Sequence, residues 1–214
     1  MIDVAHEIST VERSVGTRTL AAGEARTLTI TRAYDTPAED LWDACTNPER
    51  LPRWFLPVSG ELREGGRYAL EGNASGRIER CDPPSTLAAT WEYGGQVSWI
   101  ELRVSDEGAG RSRFTLEHLA HVEDEIWSQY GPGAVGVGWD QAVLGLSLYL
   151  AASGDLPERD AIEAWQLSAE GLEFTRRSSA GWGEASIAAG ADPEAAHAAA
   201  ARTTAFYSGE QPVG

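Results

Sequence analysis

Apolar and polar residues alternate along this chain with two different periods, and the switches between them outline a fold. In "ARTLTITRAY", Leu28 and Ile30 alternate with Thr27, Thr29 and Thr31, the two-residue period of a half-buried strand. "DTPAEDLWDACT" places its apolar positions Leu41, Trp42 and Cys45 at helical spacing. Thr36 stands where a cap is needed, Pro37 at the first helical position, and acidic residues fill the first turn. Asn47–Pro48–Glu49 repeats the start signal at once. Pro52 lacks a backbone donor and crowds the turn before it, so this second helix is expected to be short and to end near Trp54.

From Val58 the period returns to two. Strands are predicted at Val58–Arg63, Arg67–Glu71, Gly76–Cys81, Thr86–Tyr93, Val97–Val104 and Ser112–Leu119. Turn signals separate them: Gly65–Gly66, Asn73, Asp82–Pro83–Pro84, Gly94–Gly95 and Gly108–Gly110. Short strands joined by tight turns read as an antiparallel meander, and the first strand brings the count to seven. Residues 1–25 alternate weakly and read as an extension that adds an edge strand.

"GPGAVGVGWDQAVLGLSLYLAASGD" has a different character. Val135, Trp139, Val143, Leu146 and Leu150 recur at helical steps, and Gly154 closes the run. Gly136, Gly138 and Gly145 each cost roughly 1 kcal/mol against alanine in a helix interior. They imply that something large, backbone or ligand, comes close. Beyond it, Asp155–Leu156–Pro157–Glu158 caps a helix with Ile162, Trp165, Ala169 and Leu172 on one stripe. Asp192–Pro193–Glu194 caps another that ends at Gly209, and Gly181, Gly183 and Gly190 mark a loop between the two. The reading divides the chain into an N-terminal extension (1–25), a central domain (26–154) and a helical C-terminal extension (155–214).

Few architectures accommodate this order, and one fits it well: an α+β fold in which a curved seven-stranded antiparallel sheet wraps a long helix, with two short helices after the first strand. The runner-up, a lipocalin-like barrel, has its strands first and its helix at the periphery. A sheet wrapped around a single helix fills its interior less densely than two flat layers, so a cavity is expected. Composition narrows the partners. The 33 acidic residues exceed the 17 basic ones, all arginine, for a net charge of −16. Such a surface repels phosphate backbones and anionic lipid, so neither nucleic acid nor membrane is an expected partner. Two cysteines, Cys45 and Cys81, lack the spacing of a disulfide framework or zinc ribbon. The opening residues "MIDVAHEIST" do not read as a secretory signal, and the expectation is a soluble, cytoplasmic protein.

"ITRAYDTPAEDLWDACTNPERLPRWFLP", "GGRY", "CDPPSTLAATWEY" and "GWDQAV" together resemble the domain homologous to the activator of heat-shock protein 90 ATPase, within the START-like, polyketide-cyclase-like (SRPBCC) superfamily. The resemblance spans roughly residues 26–152. It implies the helix-grip (START-like) fold, and with it either a ligand cavity between sheet and helix or a chaperone-binding role.

Strand alternation assigns the inward faces. Leu87, Ala89, Trp91 and Tyr93 share one face; so do Ile100, Leu102 and Val104, and Phe114, Leu116 and His118. With Trp54, Phe55, Tyr68, Ile78, Trp139 and Val143 they compose an aromatic-rich lining suited to a small hydrophobic molecule. Trp54 and Phe55 end the truncated helix at the rim of that hollow or plug the end of the sheet. Trp91, Tyr93 and His118 stand out because each carries a polar atom that a closed core would have to satisfy.

His118 and His121 fall on opposite faces of a strand, no third ligand is evident, and zinc usually needs at least three, so no metal or other cofactor is expected. General acid–base chemistry in the hollow would fall to His118 or Tyr93. No nucleophile elbow or phosphate loop is present in the sequence. The reading is a small-ligand-binding protein. The alternatives are a chaperone-interacting module, or a cyclase- or dehydratase-like enzyme acting on an aromatic or polyketide-type substrate. Trp165 and Phe206, large rings on small-residue helices, predict a homodimer through the C-terminal extension.

Overall fold

The computed structural model describes residues 2–151 and 159–209. In chain order its elements are α1 (Val4–Ser9), β1 (Val11–Leu20), β2 (Gly23–Tyr34), α2 (Ala38–Thr46), a 3-10 turn (Leu51–Arg53), β3 (Val58–Gly60), β4 (Arg67–Leu70), β5 (Ser75–Asp82), β6 (Thr86–Tyr93), β7 (Gln96–Gly108), β8 (Arg111–Ala120), α3 (Asp124–Tyr130), α4 (Gly133–Ala151), α5 (Arg159–Gln166), α6 (Ala169–Ala188) and α7 (Pro193–Tyr207). One curved antiparallel sheet carries eight strands in the order β1-β2-β8-β7-β6-β5-β4-β3. The eighth strand, beyond the seven of the central reading, is β1 at the edge.

The six predicted strands of the meander all form. β6 and β7 join through Gly94 and Gly95, at φ 59° and 79°, with Tyr93 opposite Gln96. Two consecutive positive-φ residues give the hairpin turn whose twist matches its strands, which is why two glycines sit there. Alternation holds along β8, where Ser112, Phe114, Leu116 and His118 are buried and Arg113, Thr115 and Glu117 are not.

The chain forms two compact units. One comprises Met1–Ile30, Val122–Gln141 and Pro157–Gly214; the other comprises Thr31–His121 and Ala142–Leu156.

In the first unit α6 packs against α7, β1 and α1, and α3 packs on α7. The segment around Gly181 and Gly183 is helix, not the predicted loop. Glycine is favourable there because a larger residue would crowd its neighbours: a Cβ at Gly181 would lie 3.3 Å from the Arg13 guanidinium, and one at Gly183 would lie 3.3 Å from Ala200 Cβ. The stripe from Ile162 to Leu172 is likewise two helices, because Ser168 caps α6 with its Oγ accepting from the Gly171 amide. The Asp192 cap of α7 forms as read, accepting from the Ala195 amide at 2.9 Å. Gly154 and the cap at residues 155–158 lie outside the described residues.

A buried carboxylate ties this unit together. Asp140 is 2% exposed and accepts two hydrogen bonds from Arg13, Nε to Oδ2 at 3.0 Å and Nη2 to Oδ1 at 2.8 Å. Ser178 Oγ and Trp182 Nε1 also donate to Oδ2. Four donors satisfy one buried anion, the condition under which burying it is tolerable. The fully buried Trp182 indole lies on α4 at Gly136, where any Cβ would overlap the ring. Val135, expected to open the buried stripe of α4, is 42% exposed, and its place in the interior is taken by Val137.

In the second unit α2 lies against β7 and β8. Its first residue is Ala38, one later than expected, and Thr36 Oγ1 donates to the Asp40 carboxylate at 2.9 Å instead of capping the backbone. Pro52 confines the next helical segment to a 3-10 turn. The second half of α4 is fastened by Tyr34, whose hydroxyl donates to the Val143 carbonyl at 3.2 Å, and by Arg50, whose Nε donates to Tyr149 Oη at 2.9 Å. A Cβ at Gly145 would overlap the Trp54 carbonyl. Two of the glycines interior to α4, Gly136 and Gly145, therefore accommodate protein groups, an indole and a peptide carbonyl. By length and composition α4 could cross a membrane, but half of its most apolar stretch is buried within the fold.

Candidate functional site

The inner face of the second unit is apolar through most of its extent. Tyr68 and Leu70 on β4, Ile78 on β5, Leu87 and Ala89 on β6, Leu102 and Val104 on β7, and Phe114 and Leu116 on β8 are all buried. Strand register sets them in rows: Leu87 opposite Leu102 opposite Leu116, and Ala89 opposite Ile100 opposite His118. Val143 on α4 is also fully buried.

Polar chemistry gathers at one end of this face. Trp91 pairs across the strands with Ser98, and Ile100 with His118. Ser98 Oγ donates to the Trp91 carbonyl at 3.1 Å and lies 2.8 Å from His118 Nε2. Ser98 thereby links the Trp91 carbonyl to one ring nitrogen of His118. Burial pushes the His118 pKa down to about 4, so the imidazole is neutral at pH 7. The Trp91 ring stands 6.1 Å from the imidazole, tilted by 59°.

A second buried polar group was not singled out in the sequence reading. Arg32, on the inward register of β2, is buried; its Nη2 donates to Ser147 Oγ on α4 at 2.8 Å, and its guanidinium lies 5.3 Å from the Tyr34 ring centroid. The signal was present: Arg32 follows Leu28 and Ile30 at two-residue steps, so the alternation that turned those residues inward turns an arginine inward too.

The remaining candidates divide. Trp54 and Phe55 stack at 5.5 Å and are half-buried, and Trp54 Nε1 donates to the Ala44 carbonyl at 2.9 Å. That bond ties the 3-10 turn to the end of α2. The Tyr68 hydroxyl is spent on the Thr90 carbonyl at 2.7 Å, and burial holds its pKa above the usual tyrosine range. Tyr93 is 62% exposed at the hairpin end of β6, where alternation runs out into solvent, so the structure does not bring it to the inner face. Trp139 is buried but belongs to the first unit. His121 meets Trp99 edge-on at 5.9 Å. Among the described residues no group of three or more histidine, cysteine, aspartate or glutamate side chains is placed to hold a metal ion.

Of the two rings expected at a dimer surface, Trp165 packs edge-on against Phe174 at 5.8 Å, and its Nε1 donates to Glu170 at 2.7 Å. Phe206 is 65% exposed beside Tyr130 and Tyr207.

Comparison with known proteins places this architecture. The crystal structure of CalU16 from Micromonospora echinospora is 39% identical, covers 82% of this chain and 97% of its own, and superposes with a TM-score of 0.62. The solution structure of CalU16 gives 38% identity, 84% and 96% coverage, and a TM-score of 0.68. PFC0360w, an HSP90 activator from Plasmodium falciparum, is 19% identical over 59% of this chain and 96% of its own, with a TM-score of 0.50, a likeness of fold alone. No functionally curated protein matches. The model of the family described as Activator of Hsp90 ATPase homolog 1-like protein matches residues 35–151, more than half of the chain, and with the helix-grip architecture it shows that this chain belongs to that family.

Proposed function

We propose that this chain is a cytoplasmic small-molecule-binding protein whose ligand is largely apolar with one polar or anionic end and is held at the inner face of the curved sheet. One observation carries the reading: a buried arginine, Arg32, and a buried neutral imidazole, His118, are set into a face otherwise built from aliphatic and aromatic side chains. A closed core would gain stability from apolar residues at both places, since buried charge is costly even when it is partnered. A guanidinium there can meet a carboxylate or enolate-like oxygen, and a neutral imidazole can exchange a hydrogen bond with a hydroxyl group.

The test is titration of the purified protein with 1-anilinonaphthalene-8-sulfonate, an apolar fluorophore with one anionic group. Saturable one-to-one binding is expected, with ring-proton shifts at His118 and about tenfold weaker binding in Arg32→Met, the loss of one charge-assisted contact. Absence of saturable binding to the folded protein, or equal affinity in the variant, would overturn the assignment. The family's description points to a competing outcome, stimulation of Hsp90 ATPase by a protein inert toward the fluorophore.

A further inference from the structure

A pocket lies wholly within the first unit. It is a cleft of about 170 Å³ enclosed by the end of α3, the turn into α4, α6 and α7. Trp127 and Tyr130 form one wall; Ser179, Ser186, Ala196 and Ala199 form the other. The space exists because the facing helices carry methyl groups or hydrogens where leucines would otherwise fill it. Small residues alone would make only a close helix contact.

Ser179 changes that. Its side chain sits in the middle of α6 and is 1% exposed, and its hydroxyl has no hydrogen-bond partner among the described residues. An unmade hydrogen bond on a buried hydroxyl costs stability that alanine at the same place would not forfeit. Ser178, its neighbour, donates to Asp140, so the two consecutive serines face different surroundings. Water is a poor occupant. A buried water needs two to four polar partners, and apart from Ser128, Ser179 and Ser186 the side chains lining the cleft are glycine, alanine, proline and two aromatic rings.

We infer that this cleft is a binding site for a small single-ring aromatic molecule carrying one oxygen that accepts a hydrogen bond from Ser179. The size fits, since a cavity of about 150 Å³ holds benzene. The walls fit as well: Trp127 and Tyr130 supply aromatic faces for the ring, and alanine methyls supply contact without polar competition. The site shares no residue with the inner face described above, so each stands or falls without the other.

Phenol and toluene, nearly the same size and differing in hydroxyl against methyl, separate the polar from the apolar contribution. Titrated into the 15N-labelled full chain, phenol is expected to shift the amides of Gly131, Gly183 and Ala199 saturably and to bind more tightly than toluene. In Ser179→Ala, phenol affinity falls about tenfold while toluene is unchanged. Ala195→Leu, at an exposed position on the cleft wall, is expected to weaken both ligands without touching the buried packing. Phenol binding as tightly to Ser179→Ala as to the natural chain would overturn the inference. So would shifts confined to residues 31–121, or no saturable shift at all.

Discussion

His118 shows how one residue's surroundings set its chemistry. Its folded-state pKa, lowered by burial to about 4, lies below the ordinary value of 6.5 that it regains on unfolding. Between those limits the unfolded chain binds a proton that the folded chain refuses, so acidification favours unfolding. Lowering the pH from about 7 to about 4 is therefore expected to remove roughly 3 kcal/mol through this residue, since each pH unit separating the two values is worth about 1.4 kcal/mol. Urea unfolding at pH 7.5 and pH 4.5 checks it: His118→Gln should lose less stability across the interval than the natural chain. Equal losses would show that the folded ring takes up a proton freely. His118 was legible from its phase with Phe114 and Leu116. Arg32 shares the phase of Ile30 and was overlooked, because an arginine on a half-polar strand is ordinarily read as facing water. Ser179 gave no sign in a stretch whose glycines suggested a loop.

At the scale of elements, the meander and α4 were readable because period-two runs and turn residues are local signals. The helical character of α6 was not, since its glycines answer to neighbours far along the chain. Arg13 lies against Gly181 and Ala200 against Gly183, and neither contact has a local signature. The same reasoning separates two glycines of α4. Alanine at either would gain roughly 1 kcal/mol of helix propensity. At Gly138 the new methyl meets Tyr207 Oη at an ordinary 3.5 Å, so Gly138→Ala is expected to be stabilising by up to that amount. At Gly136 it collides with the fully buried Trp182 ring, so Gly136→Ala is expected to destabilise by about 1–3 kcal/mol. Thermal unfolding of the two variants reads the contrast directly; a destabilised Gly138→Ala or a stabilised Gly136→Ala would contradict this packing.

For the molecule as a whole, charge is the dominant long-range term. Exposed pairs such as Arg63–Glu61 and Arg80–Asp82 add little, because water and salt screen them, whereas a net charge of −16 sets the surface against itself. Raising sodium chloride from 10 to 150 mM shortens the screening length from about 30 Å to about 8 Å and should raise the melting temperature. A fall would mean that the surface pairs outweigh the repulsion. The division of the chain into two units was not legible, because the first unit gathers three segments separated in sequence, and composition records neighbours along the chain only.

Asp140 binds the fate of those distant segments together. A guanidinium from β1, a hydroxyl and an indole from α6, and the carboxylate of α4 amount to one four-part lock. Losing the arginine leaves an anion short of its countercharge, and losing the carboxylate strands a cation in the interior. The leading strand and the trailing helices are thus heritable as a set, and a lineage that discards one must redesign the other.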